Sequence, residues 1–463
     1  MTKRQSLYGK RSSNVFKAAL LALALPLAPL PAQAEQVRLS PSEARVFAAQ
    51  LGRNGQYRAM REVALGLLKA DPKDVAALLL LSRAEAELGN HPAAIRAAKR
   101  AWSAAGDDTQ RFAAAYAVAQ GQNAAGKLTS GQFWLRRANQ YAPDDRLGKV
   151  AQSEFQKMRR RNPLRIELRF SARPSNNVNN GTKESWTPDG IGLVFVPTGG
   201  LLPLSGTEFS TGGSLTYTLD ETKRRRTRIG FAIDHRTFAL SNEAKRIAPG
   251  VRGSDFAFTS ATATLRHDQS LGKKNVLNYG VAVGRMWYGG APLSDFVRLE
   301  GGLTHALSPR DRLQFKGAVQ AYQGLGTRRD TDVMQLSGIW QRKLENGDRL
   351  QLALTGLVSQ SDDVTQDYRQ VQVGVKYRKA QPVAGLGLEF GLDLSRRRHD
   401  LFPFAADGQT GNEVTASVSA TLENLDYYGF VPVLTLEASK RDSDIPLYAS
   451  ESMGLSLGIR SAF

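Results

Sequence analysis

Cysteine is absent from all 463 residues, which excludes disulfides, thiolate metal sites, a nucleophilic thiol and a lipid-modified cysteine. Past residue 34 there is no run of about 18 apolar residues, so no helix of the expected mature chain can span a bilayer. Histidine is scarce. His91, His235, His267, His305 and His399 are scattered, and none falls into H-E-x-x-H or a paired zinc spacing. No G-x-S-x-G occurs. Gly121 to Lys127 spells G-x-x-x-x-G-K, but Leu128 stands where a phosphate-binding loop needs Ser or Thr for magnesium. No catalytic residue, cofactor or metal is therefore expected, and the chain does not read as an enzyme.

What is abundant is positive charge: 62 Lys and Arg against 43 Asp and Glu, a formal net charge of +19. Part of it belongs to the N-terminus, where Lys3, Arg4, Lys10, Arg11 and Lys17 precede the apolar run from Ala18 to Leu30 and an Ala32-Gln33-Ala34 cleavage pattern. Residues 1–34 read as a secretory signal, too short in its apolar core for a stop-transfer helix. An exported chain rarely meets nucleic acid, and the remaining basic residues are spread over strands and turns. They are expected to line an interior and its rims, facing acidic sugars, lipopolysaccharide or an acidic partner.

Residues 35–160 are rich in Ala and Leu and repeat at about 34 residues. Gly55-Gln56-Tyr57 precedes Met60, Ala64, Leu67 and the stop Asp71-Pro72; Gly89-Asn90-His91 precedes Ala94, Ala98 and Ala101; Gly126 precedes Trp134, Ala138 and Ala142-Pro143. A glycine in the turn between paired helices, with small residues where they touch, resembles the tetratricopeptide repeat. That resemblance implies a stacked superhelix with a concave, peptide-binding groove, in which Tyr57, His91 and Trp134 are the candidate groove residues. A generic helical bundle is the alternative.

Residues 161–463 switch to a period of two. Leu164, Ile166, Leu168 and Phe170 alternate with Arg165, Glu167, Arg169 and Ser171; Leu386, Leu388, Phe390, Leu392 and Leu394 alternate with Gly387, Glu389, Gly391, Asp393 and Ser395. The spacing predicts about fourteen strands, the first at 164–171 and the fourth at 254–267. Short turns and longer loops (172–206, 240–253, 397–411) fall on opposite ends, as in a membrane barrel whose outer face meets lipid and whose bore is wet. Trp287, Tyr288, Trp340, Tyr427, Tyr428 and Phe430 suit interfacial girdles. Lys376, Arg378, Glu389 and Asp393 are expected to line the lumen, the two acids pairing with the two bases across neighbouring strands. Glu389 and Asp393 stand about 13 Å apart along one strand, too far for a general acid–base pair. Pro432 inside a strand is a misfit that calls for a bulge or a shifted boundary.

The final strand places Leu455, Leu457, Ile459 and the terminal Phe463 on one parity. It resembles the closing strand of bacterial outer-membrane barrels, where a C-terminal aromatic residue belongs to the signal read by the barrel assembly machinery. At the junction, Asn162-Pro163 leads into an alternating strand and then Pro174, Asn177, Val178, Asn179 and Thr182. This run resembles the start of the barrel in surface lipoprotein assembly modifiers, the type XI secretion outer-membrane proteins. Ser175 stands where that family has an acidic residue, so no role resting on the charge carries over. Read without the resemblance, Asn177 and Asn179 are loop-capping asparagines.

The expected architecture is thus an α-helical tetratricopeptide-like domain followed by a transmembrane antiparallel β-barrel of about 14 strands. The resemblance implies a monomeric barrel in the lipid bilayer of the outer membrane, with its helical domain in the periplasm. It also implies a periplasmic client protein, a surface lipoprotein or a related secreted protein, delivered to the surface or medium. Polysaccharide export and a passive solute porin are the rival readings.

Overall fold

The computed structural model describes residues 39–187, 192–403, 405, 407–425, 427–428 and 430–461. The expected signal segment and Phe463 lie outside them. Helices α1 (Pro41–Arg53), α2 (Tyr57–Ala70), α3 (Val75–Glu87), α4 (His91–Ala104), α5 (Asp108–Ala124), α6 (Leu128–Gln140) and α7 (Asp145–Arg161) stack in sequence order. Ser40, Asp74, Asp107 and Asp144 each cap the N-terminus of a following helix through a side-chain oxygen, satisfying otherwise orphaned N–H groups.

The turns within the repeats are made by Gly55, Gly89 and Gly126, at φ of 72°, 81° and 72°. That left-handed conformation costs glycine least. Small residues then let the helices close up: a Cβ on Gly131 would sit 2.5 Å from Met158 Sδ. Ala64, Leu67, Leu68, Leu78, Leu81 and Ala101 form one of the buried cores between helices.

After Asn162 the chain enters strands β1 (Leu164–Ser175), β2 (Gly206–Glu221), β3 (Arg225–Leu240), β4 (Phe258–Leu271), β5 (Asn275–Tyr288), β6 (Ala291–Ala306) and β7 (Asp311–Gly324). They continue as β8 (Thr331–Lys343), β9 (Arg349–Ser361), β10 (Tyr368–Arg378), β11 (Leu386–His399), β12 (Gln409–Leu422), β13 (Phe430–Ser443) and β14 (Ser450–Ser461). Each pairs antiparallel with its sequence neighbours, and β14 returns to β1 to close a fourteen-stranded barrel. Closure leaves no sheet edge, the condition for a sheet to cross lipid.

The apolar parity faces outward and is exposed: Leu168 is 65% accessible, Leu336 61%, Leu354 57% and Phe315 56%. A continuous apolar band of this kind is untenable in water and is the signature of a lipid-facing wall. Leu455, Leu457 and Ile459 belong to it, at 53%, 51% and 46%.

Several details depart from the sequence expectation. β1 runs on through Pro174 to Ser175, because Pro174 faces outward and still pairs with Thr207. β4 begins at Phe258 rather than 254, because Gly253–Phe256 forms a 3-10 turn in which a Cβ on Gly253 would collide with Phe238 O. Pro432 needs neither bulge nor boundary shift. β13 pairs with β14 in unbroken register from Phe430 to Arg441, while pairing with β12 stops at Val433, so Pro432 lies outside that ladder. Tyr428, expected in the interfacial girdle, faces α6 instead.

Candidate functional site

Three features of the barrel have chemistry beyond packing: the mouth nearest the helices, the β1–β14 seam, and the distal loops. At the helical end, α7 runs into β1 through Asn162. Its Nδ2 donates to Thr129 Oγ1 and Gln132 Oε1, both at 3.0 Å, and its Oδ1 accepts from the Leu164 N–H. Pro163 O accepts from the Thr218 N–H. A second contact holds the helical domain on the β12–β13 turn. There the Tyr428 N–H donates to Gln140 Oε1 at 2.8 Å and Arg136 Nη1 donates to Tyr428 O at 3.2 Å. Arg136 also stacks over the Phe430 ring, 4.6 Å from its centroid.

Beside this docking point, on the wall from β7 to β11, lies a recess of about 510 Å³ lined by Arg310, Arg312, Lys343, Arg349, Lys376 and Arg378, with Glu389. Strand alternation sends these side chains inward, except Arg310, which lies in the β6–β7 turn, and the register brings Arg349 opposite Arg378 and Lys376 opposite Gln351. Arg378 pairs with Glu389, and Arg310 with Glu345 at 3.2 Å. Arg312, Lys343, Arg349 and Lys376 have no ion pair among the described residues. The recess is a basic vestibule suited to anionic groups.

Asp393 does not pair with Lys376, as the alternation had suggested. The register sets Asp393 opposite Gly374 and Lys376 opposite Gly391, so Asp393 accepts from Gln372 Nε2 at 3.1 Å instead.

At the seam, β1 pairs with β14 at Phe170, Ser171, Ala172 and Ser175, whereas all of Leu164–Ser175 pairs with β2. Arg173 spans it from the inside. Its guanidinium reaches Glu208 on β2 at 3.0 Å and, across β14, Glu437 on β13 at 2.8 Å. The crossing is possible because position 454 is glycine: a Cβ there would lie 3.1 Å from Arg173 Cγ and 2.9 Å from Pro174 O. The sequence held the signal for this latch, a lumen-parity arginine facing two lumen-parity acids, but the partner strands could not be paired by pattern alone.

Of the distal loop after β1, residues 176–187 and 192–205 are described, and Val178 and Leu204 are buried there with Ala244 and Ala248 against the lumen-facing Phe238 and Leu240. Asn177 closes a ring with Gly181, donating to its O and accepting from its N–H, both at 2.8 Å. Asn179 donates to Gly200 O and Leu202 O and accepts from the Leu204 N–H. Thr182 Oγ1 donates to Pro446 O at 3.3 Å, tying this loop to the one between β13 and β14. Both asparagines are thus engaged by the loop's own backbone.

In the helical domain, Tyr57 packs against Ala48, Leu51, Met60 and Ala84. Trp134 meets Trp102 edge-to-face at 5.5 Å. His91 starts α4, with an enclosed Nδ1 that has no hydrogen-bond partner among the described residues. Tyr57 and Trp134 are half-buried and stand in packing layers between helices.

No known family model matches the chain, and no curated protein matches it. Among solved structures it is similar to the type III secretion translocator chaperone SycD of Yersinia enterocolitica, at 16% identity over 27% of this chain and 88% of that one, with a TM-score of 0.24. It is also similar to a BenF-like porin of Pseudomonas fluorescens, at 8% identity over 64% and 98% with a TM-score of 0.35. Acinetobacter baumannii OccAB4 is similar at 10% identity over 64% and 97%, with a TM-score of 0.32. The fold itself is read from the strand pairing above.

Proposed function

We propose that this protein is an outer-membrane translocator whose helical repeats receive an exported client in the periplasm and pass it to the barrel for delivery to the cell surface. The observation that carries the reading is the position of the docked helices. Arg136, Gln140 and Tyr141 of the helical unit meet the β12–β13 turn, at the same end of the barrel as the basic vestibule. A captured segment would be handed directly to the lumen, and a bore of fourteen strands admits an extended chain but no folded globule. The resemblance at Asn162 to Thr182 makes the client a surface lipoprotein or a related secreted protein. The test is co-expression with a candidate exported protein from an adjacent reading frame, scoring surface exposure with and without residues 39–160. Loss of exposure on deletion supports the reading; unchanged exposure opposes it.

A second reading, passage of acidic polysaccharide, is favoured by the unpaired Arg312, Lys343, Arg349 and Lys376. It requires that deletion of the barrel gene abolish surface polysaccharide while leaving surface proteins untouched.

A further inference from the structure

The lipid-facing wall carries a cluster of arginines that neither the fold nor the lumen explains. On β11 the outward parity reads Leu386, Leu388, Phe390, Leu392, Leu394, Arg396, Arg398, and on β10 it reads Arg369, Val371, Val373, Val375, Tyr377. The register sets Arg369 opposite Arg398 and Val371 opposite Arg396. Three guanidinium groups therefore share one small patch of the outer surface, at the end of the barrel away from the helices.

Their height is set by the apolar residues beneath them. From Leu386 to Leu394 the strand advances about 26 Å, or roughly 20 Å along the barrel axis at the usual tilt. The arginines begin where that apolar band ends, at the level of lipid headgroups.

Among the described residues only one acid answers the three bases. Asp400 contacts Arg369 at 3.0 Å and Arg398 at 3.5 Å, and both arginine side chains remain widely exposed, at 73% and 63%. The Arg396 side chain has no hydrogen bond or ion pair among the described residues. Two other outward bases of this rim are matched. Arg285 is held by Asp295 at 2.6 Å, and Lys440 lies between Asp442 and Glu451 at 3.8 and 3.3 Å. Below the cluster, Val371, Val373, Leu392 and Leu394 are exposed, an apolar track continuous with it.

We propose that the distal outer surface of β10 and β11 is a binding site for a phosphorylated, acylated glycolipid of the outer leaflet, the lipid A part of lipopolysaccharide. Arg396 and Arg398 take one phosphate and Arg369 shares the second with its neighbours, while acyl chains lie against Val371, Val373, Leu392 and Leu394. Guanidinium forks match phosphate oxygens in pairs, which an ammonium does not. The site rests on the orientation in the proposed function, with the helices on the periplasmic side.

The experiment is native mass spectrometry of the full chain in detergent, titrated separately with bisphosphorylated lipid A, dephosphorylated lipid A, phosphatidylethanolamine and inorganic phosphate. Bisphosphorylated lipid A should bind in preference to the other three. The double variant Arg396→Gln/Arg398→Gln should bind it about tenfold more weakly or worse, the loss expected for charged hydrogen bonds. The matched-pair control Arg285→Gln/Asp295→Asn should bind it as the native chain does. Heat-modifiable mobility on gels checks that each variant is folded; should the double variant not fold, Arg396→Gln alone, which breaks no ion pair, replaces it. Equal binding by the arginine variants, or equal binding of phosphatidylethanolamine or inorganic phosphate, overturns the proposal. A control that loses lipid A binding equally also overturns it. None of these outcomes bears on client delivery.

Discussion

The hydroxyls of Tyr141, at the end of α6, and Tyr428, in the turn between β12 and β13, meet at 3.2 Å across 287 residues of sequence. Tyr428 holds this position at a positive φ of 51°, a conformation rare for a tyrosine. The contact pushes the Tyr428 hydroxyl up to about 12, chiefly through its bond to Tyr141.

Replacing Tyr428 with alanine should loosen the helical domain by roughly 1–2 kcal/mol, the value of one hydrogen bond plus an aromatic contact. Trypsin reads this out at Arg159, Arg160 and Arg161 in the last turn of α7, where cleavage should quicken. Because the folded-state pKa is raised, this contribution is complete below about pH 10 and disappears as pH rises toward 12. Digestion rates that match the native chain would remove Tyr428 from the interface.

The Arg173 latch should stabilise the seam. Arg173→Ala leaves Glu208 and Glu437 without their partner and is expected to cost roughly 1–3 kcal/mol, read as a lower thermal midpoint. Since the chain has no cysteine, a disulfide between Ser171→Cys and Gly458→Cys, which are register partners, can be formed cleanly. It should recover most of the loss. Failure of that rescue would place the effect away from the seam.

Acid should unlock two neighbouring turns through Asp348, which is 2% exposed. Its carboxylate accepts from the Tyr377 hydroxyl, the Ala380 N–H at 2.8 Å and Lys379 Nζ at 3.2 Å. These bonds, the Tyr377 one foremost, hold it down at about 2 from an ordinary 3.8. With a depressed folded-state pKa, the stabilisation is present above about pH 4 and lost as pH falls toward 2. The difference in thermal midpoint between the native chain and Asp348→Asn should therefore be widest above pH 5 and close near pH 2. A constant difference would show that the carboxylate charge is immaterial.

The vestibule should prefer anions. Labelled oligoglutamate should bind the purified protein, oligolysine should not, and added salt should weaken the binding steeply. The double variant Arg349→Glu/Lys376→Glu should lose affinity about tenfold or more, since it reverses two of the unpaired charges. Equal binding of both peptides would mean that the basic wall does no selecting.

The two-part layout was legible because periodicity is local: period 3.6 up to α7 and period two from Leu164 onward follow from geometry within each segment. The same parity put Lys376, Arg378, Glu389 and Asp393 on the lumen side. The Arg378–Glu389 pair was legible too, but the partner of Asp393 was not, because pairing depends on register across strands; Asp393 meets Gln372 and not a base. Arg173 and Glu437 are 264 residues apart, and no local pattern joins them. Nor could composition tell a girdle tyrosine from Tyr428, whose role arises only when the helices fold back onto a turn.

The most direct measurement is photo-crosslinking in living cells with the exported client present, using a photoreactive amino acid at position 376 inside the bore or at 354 on the lipid face. Adducts with the client at 376, absent at 354 and lost when residues 39–160 are removed, are what this account expects. A client that reaches the surface in full amount without ever labelling position 376 would contradict it.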